Sequence, residues 1–255
     1  MIGPRITAIG SGKGGTGKTL IATSLAHALA QGGERLLLCD CDLGLSNAAI
    51  HLGLGHGGDL PGVISGSRRL DEAVVSMRGR FDLLAAPAGS GALANLNEQS
   101  AAKLLSVLRA ANVYDRIILD LGAGVDATVM YFASRADETL LVMTPDPASL
   151  TDAYAFTKLM LRRCARTPEV IVNMTESDAG ARRTADSLIA ASKNFLKVAP
   201  LYLGRIPRDA RAAEAVRRQQ PLLSLYPESP AAKAIGSIAQ GLRLRRNPAQ
   251  AVLSI

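Results

Sequence analysis

Tryptophan is absent from this chain, and only four phenylalanines and five tyrosines are spread over its 255 residues. Binding single-stranded nucleic acid by base stacking needs aromatic platforms, so this scarcity argues against that class. Cysteine is scarce as well. Cys39, Cys41 and Cys164 suit a reduced cytosolic protein better than a disulfide framework. The histidines His27, His51 and His56 show no metal-ligand spacing. Cys39 and Cys41 fall in an expected buried strand, where small apolar filling is a simpler role than metal ligation. Apolar runs do not exceed strand length, which excludes a membrane-spanning helix. Internal repeats and low-complexity linkers are missing too, and Met1 to Gly10 reads as a first strand rather than a secretory leader.

What is present is a 48% hydrophobic chain long enough for one large domain, taken as residues 1–255. Its charge is uneven. Residues 1–150 carry 12 Lys and Arg against 14 Asp and Glu, whereas residues 151–255 carry 17 against 8. The basic half fits an acidic partner, a phosphate backbone, anionic lipid, or simply a solvated face.

Apolar runs bounded by turn residues alternate with helical patterns. Strands are expected at 5–10, 35–41, 81–86, 115–121, 138–144, 168–173 and 200–205. Helices are expected at 18–31, 98–111, 148–164, 180–194, 209–219 and 229–246. Runs such as RLLLCD and RIILDL are apolar on both faces, as in a parallel sheet covered on both sides. The alternation predicts right-handed crossovers and a doubly wound, mainly parallel α/β sheet in three α/β/α layers. The segments 53–58 and 88–97 read as loops near the carboxyl ends of strands, where such sheets bind ligands.

The stretch SGKGGTGKT, Ser11 to Thr19, lies between an apolar run and an apolar-periodic helix, the context a phosphate-binding loop requires. Its glycines bring backbone N–H groups against phosphate oxygens at a helix N-terminus. Gly12, Lys13, Gly14, Gly15, Thr16, Gly17, Lys18, Thr19 and Leu20 form the expected phosphate-binding stretch. Lys18 would bridge the β- and γ-phosphates, and the Thr19 hydroxyl would ligate Mg²⁺. Lys13 is surplus to that motif. The second strand ends in CDCDLGLSN, where Asp40 and Asp42, two residues apart, point to one side of an extended chain. Alone they would read as turn formers; beside a phosphate loop, one suits Mg²⁺ and its waters and the other the attacking water. Asp120, at the end of the expected fourth strand, sits where a carboxylate behind Mg²⁺ belongs, and Gly122 and Gly124 allow close backbone approach to a γ-phosphate.

These features together resemble the MinD/ParA family of ATPases with a deviant phosphate loop. The likeness rests on KGGTGKT, the Asp-x-Asp pair Asp40 and Asp42, and Asp120 to Gly124, and it spans nearly the whole chain. It implies a slow Mg²⁺-dependent ATPase that dimerises on ATP, with Lys13, Lys18 and Asp42 as catalytic residues and Thr19, Asp40 and Asp120 around the metal. In the family the extra lysine crosses the dimer interface to the partner's phosphates, which gives Lys13 a task. The likeness also places Asn173 at the adenine-reading position, with Pro207 and Asp209 on the other side of the base. An amide that donates and accepts suits an adenine edge, while helix capping stays open as another use of Asn173.

Two stretches, Asp40–Leu54 and Thr144–Met160, are similar to the flagellar-number regulators of the FlhG/FleN type. That segment follows the expected fifth strand; Pro145 and Pro147 stiffen the turn, and Ser149 or Thr151 can cap the helix after it. The resemblance implies control of flagellar number or placement in the cytoplasm. It leaves open reversible association with the inner membrane face or a cell pole. Implied partners are a second copy, an FlhF-type GTPase, flagellar switch components or a transcription regulator. Two features depart from that subgroup: the chain starts at its first strand, without the GTPase-stimulating extension, and its last helix carries Ile235, Ile238 and Leu242 on one stripe before Arg243, Arg245 and Arg246. Such a stripe packs on a sheet or docks on a membrane. Alternatives are a ParA-type partitioning ATPase with non-specific DNA binding, or a MinD-type division-site regulator. An iron–sulfur carrier lacks its Cys pair, and a tyrosine autokinase lacks its tyrosine-rich tail.

Overall fold

Strands that are apolar at successive residues need cover on both faces, and the computed structural model shows how this chain provides it. It describes residues 3–42, 47–77, 81–87 and 97–246. Eight strands, β1 (Arg5–Ser11), β2 (Leu36–Cys41), β3 (Val75–Ser76), β4 (Asp82–Leu84), β5 (Arg116–Ala123), β6 (Glu138–Met143), β7 (Glu169–Thr175) and β8 (Tyr202–Pro207), lie in the order β3-β4-β2-β5-β1-β6-β7-β8. Neighbours are parallel except for the β3–β4 hairpin at one edge.

On one face pack α3 (Leu60–Ser65), α4 (Leu70–Ala73), α5 (Glu98–Arg109), α6 (Ala127–Arg135), α7 (Pro147–Cys164) and α8 (Asp178–Leu196). On the other pack α1 (Lys18–Gln31), α2 (Ala48–His51), α9 (Ala210–Arg217), α10 (Leu222–Leu225) and α11 (Pro230–Arg246). Period-two alternation divides each strand between them: in β5, Ile117 and Leu119 enter the first core and Ile118 the second. Cys39 and Cys41 fill the first core as small buried side chains. The three-layer, doubly wound sheet expected from the strand–helix alternation is therefore the observed fold.

The segment Thr144–Met160 follows the strand expected at 138–144, which is β6 because β3 adds a short hairpin strand. Two expectations need correction. Helix α6 was not expected: Thr128, Val129, Tyr131 and Phe132 are weak helix formers. Capping by Asp126, which accepts from the N–H groups of Thr128 and Val129, and burial of Val129, Met130 and Phe132 override that weakness. Helix α7 is capped by Asp146, which accepts from the Ser149 N–H at 2.9 Å, and not by Ser149 or Thr151. Ser149 instead accepts from the Thr144 N–H, and Thr151 donates to the Pro147 carbonyl.

The stripe on α11 is settled by packing. Ile235, Ile238 and Leu242 are buried in the second core, so they form no membrane-docking face. Among the described residues no helix is long and apolar enough to cross a membrane. The expected loop at 88–97 lies almost wholly outside the described residues, as does the chain beyond residue 246.

Candidate nucleotide site

The phosphate loop connects the buried end of β1 to the first turn of α1. Gly15 and Gly17 take left-handed backbone angles, φ 77° and 86°, that turn the chain into the helix. The loop is braced from below. The Ser11 hydroxyl donates to the Lys13 carbonyl at 2.8 Å, and the Gly124 N–H donates to the Ser11 carbonyl at 2.9 Å. A Cβ on Gly12 would stand 2.4 Å from the Asp152 carbonyl oxygen, so only glycine lets the loop lie against α7.

The two lysines separate completely. Lys18 is 7% exposed, and its ammonium lies 3.7 Å from Oδ1 of Asp120. Lys13 stands at the rim with a side chain 44% exposed, its ammonium 3.2 Å from Oδ1 of Asp146. Asp146 also accepts from the Thr144 hydroxyl. That bond, the Ser149 N–H and then Lys13 hold its carboxyl down to about 2.

Asp120 is fully buried, and neither of its oxygens has a hydrogen bond of normal geometry among the described residues. Burial raises its pKa to about 7; Lys18 pulls it down, Asp40 pushes it up, the nearby Thr19 hydroxyl lowers it and Asp42 raises it. Asp40 pairs with Asp120 in the β2–β5 register, but its oxygens are already committed. One accepts from the Asp42 N–H, the other from the Asn47 and Ala48 N–H groups, each at 3.0 Å. Asp40 thus shapes the turn that carries Asp42. Asp42 lies beyond the strand end and is half-buried, with Oδ1 3.7 Å from where a Cβ on Gly122 would be. Among the described residues the carboxylates do not converge into a preformed metal cluster. Mg²⁺ sites that draw most ligands from water and phosphate need none.

Asn173 lies inside β7, which removes the helix-capping alternative; Ser177 caps α8 instead. Its amide donates to the Thr16 carbonyl at 2.7 Å. Pro207 closes β8 beside Thr175. Asp209 is turned elsewhere: its oxygens accept from the Arg211 N–H at 2.9 Å and the Ala231 N–H at 3.0 Å, capping α9 and holding the start of α11. Burial pushes its pKa up, but those N–H bonds outweigh it and leave the carboxyl below its ordinary value. A cleft of about 480 Å³ opens in front of the loop, lined by Lys13, Thr16, Asp146, Met174, Arg183 and Arg208 among others. The last four were not singled out from the sequence. Arg208 lies between Pro207 and Asp209, both singled out, and was the most accessible of them; Arg183 sits in an ordinary helical pattern with nothing to mark it.

Six of the 17 basic residues after residue 150 are paired with six of the 8 acidic ones there, so the excess of 17 over 8 remains. Arg182, Arg205, Arg208, Arg218, Lys233 and Arg245 pair with Asp186, Asp178, Glu176, Glu214, Glu228 and Glu169.

Known proteins resemble this chain in sequence and in fold. The chain is 34% identical over 238 residues to the antiactivator FleN of Pseudomonas aeruginosa, covering 92% of this chain and 85% of that protein. It is 29% identical over 237 residues to the flagellum site-determining protein YlxH of Helicobacter pylori, covering 92% and 80%. Its fold superposes with a TM-score of 0.81 and 24% identity on the septum site-determining protein MinD of Pyrococcus horikoshii, solved with Mg-ADP, over 96% of this chain and 98% of that one. The CobQ/CobB/MinD/ParA nucleotide binding domain matches residues 7–222. On its loop, its sheet and these likenesses, the chain belongs to the MinD/ParA family of nucleotide-binding proteins.

Proposed function

We propose that this chain, acting as one ATPase unit over residues 1–255, is an ATP-driven dimerisation switch that sets the placement or number of flagella. The observation that carries the reading is the separation of the two loop lysines. Lys18 faces inward onto Asp120, while Lys13 waits at the exposed rim. A rim lysine is better placed for the phosphates of a second copy than for those in its own loop.

The residues fit Mg²⁺ and a triphosphate. Asp120 is a buried carboxylate whose oxygens have no hydrogen bond of normal geometry among the described residues, which suits the hydration shell of a cation. Thr19 would hold the metal directly, with Asp120 and Asp40 behind it. Mg-ATP supplies the γ-phosphoryl group when bound. Gly12 through Leu20 hold the phosphates, with Lys18 as the neutralising charge. Asp42 orients a water whose oxygen attacks the γ-phosphorus as the bond to ADP breaks, leaving ADP and inorganic phosphate. Lys13 from the second copy neutralises charge across the interface, so the dimer lasts only while γ-phosphate is present. Asn173 and Pro207 border the base; Asp209 contributes through the backbone it caps.

One relative's name supports the flagellar part, since YlxH determines flagellum sites, and another, FleN, is an antiactivator. Partners of the ATP dimer are accordingly a transcription regulator, an FlhF-type GTPase or flagellar switch components, met in the cytoplasm or at its membrane face. The likeness of Thr144–Met160 to the flagellar-number regulators weighs against the DNA-partitioning alternative. Deleting the gene and counting flagella per cell tests the role. Altered number or placement, restored by the wild type and not by Lys18→Ala, is expected. Normal flagellation with faulty DNA segregation or misplaced septa would overturn it.

A further inference from the structure

We propose that Asn173 is a strut for the phosphate loop, so that the side chain bordering the base also orders the backbone on which phosphates rest. This rests on the nucleotide reading of the site. The amide nitrogen of Asn173 donates to the Thr16 carbonyl at 2.7 Å, across 157 residues of sequence. Asn173 is 4% exposed and Thr16 is 2% exposed, so water does not compete for this bond. The neighbouring position is shaped to allow it. A Cβ on Gly17 would stand 2.4 Å from the Asn173 amide nitrogen and 3.5 Å from Met174 Cε. Glycine at 17 therefore serves two ends: the left-handed turn and the close approach of β7.

The position of the bond matters. Ser11 and Gly124 brace the first half of the loop from the β1 and β5 side. Asn173 reaches from β7, beyond β6 in the sheet, and holds the second half, two residues before Lys18. The bond uses one amide hydrogen and leaves the Asn173 oxygen and the second hydrogen for a base edge. Occupancy of the base pocket and order in the loop are then coupled through a single side chain.

A base reader alone and a strut differ in one measurable respect, the binding of a polyphosphate that has no base. Calorimetry with Mg-tripolyphosphate, ATP and GTP would compare the wild type with Asn173→Leu, Asn173→Ser and Lys18→Ala. Leucine keeps the volume and removes the donor. Loss of a buried hydrogen bond should weaken tripolyphosphate binding by about tenfold in both Asn173 variants, and ATP binding by at least as much. Tripolyphosphate affinity unchanged while ATP loses its advantage over GTP would overturn the strut and leave a base reader only. Failure of Lys18→Ala to weaken any of the three would instead overturn the site. A measurement on the unmodified, ligand-free protein covers variants that do not fold. The strut requires slow exchange of the Asn173 side-chain amide by NMR; exchange at the rate of an exposed amide would overturn it.

Discussion

Replacing Asp120 with asparagine should stabilise the ligand-free protein above neutral pH. The carboxyl of Asp120 is pushed from 3.8 to about 7, first by burial, against the pull of Lys18 and with repulsion from Asp40. Unfolded, the group releases its proton near 3.8; folded, it holds it to about 7. Between those values the folded state binds more protons, so stability falls as pH rises from about 4 to about 7 and stays reduced above it. At about 1.4 kcal/mol per pH unit, the charged form costs on the order of 4 kcal/mol. Asparagine keeps the shape without the charge, but it leaves Lys18 without its counter-ion, so the gain should be smaller. At roughly 2–4 °C per kcal/mol for a chain of this size, a rise in Tm of several degrees is expected at pH 8 and little change at pH 4. Calorimetry is the assay, since the chain has no tryptophan to report unfolding. The variant should also lose most of the stabilisation that Mg²⁺ and ATP give the wild type. A lower Tm than wild type at pH 8 would refute the reasoning and make Lys18–Asp120 a structural ion pair.

Two further substitutions probe other parts of the account. Asp42→Ala should still bind ATP but hydrolyse it about 10²–10⁴-fold more slowly, measured as phosphate release; near-normal turnover would remove Asp42 from the chemistry. Arg116 is fully buried and pairs with Glu34 and Glu138 while donating to the Thr7 hydroxyl and the Leu242 carbonyl. Arg116→Met should therefore destabilise by about 3–5 kcal/mol in denaturant melts, because it strands Glu34 and leaves Glu138 with Arg5 as its remaining cation; a loss below about 1 kcal/mol would show that the network relaxes.

Legibility in the sequence followed the range of the interactions. The phosphate loop is contiguous and needs its own residues only, so Gly12 to Thr19 could be read directly. Helix α1 was expected with its observed bounds because the loop ends where it begins. Helix α6 was hidden because its stability comes from a cap and a core face rather than from propensity. Asp146 is an exception to that rule: its cap is local, and an Asp before Pro147 at the first helical position marks a helix start that the choice of Ser149 or Thr151 passed over. Range did hide the role of Asp209, whose carboxylate is taken by the N–H of Ala231, 22 residues away. Asp40 was legible as important, but its bonds to Asn47 and Ala48 depend on how the chain turns after β2. The pairing of Asn173 with Thr16 joins elements that only the strand order brings together.

The central claim is that Lys13 acts on a second copy. Light scattering of Asp42→Ala protein, which retains its ATP, tests this most directly, with and without Lys13→Ala, in ATP and in ADP. The account predicts a dimer with ATP and a monomer with ADP for the single variant, and a folded, ATP-binding monomer under both conditions for the double variant. Full ATP-dependent dimerisation without Lys13 would contradict it.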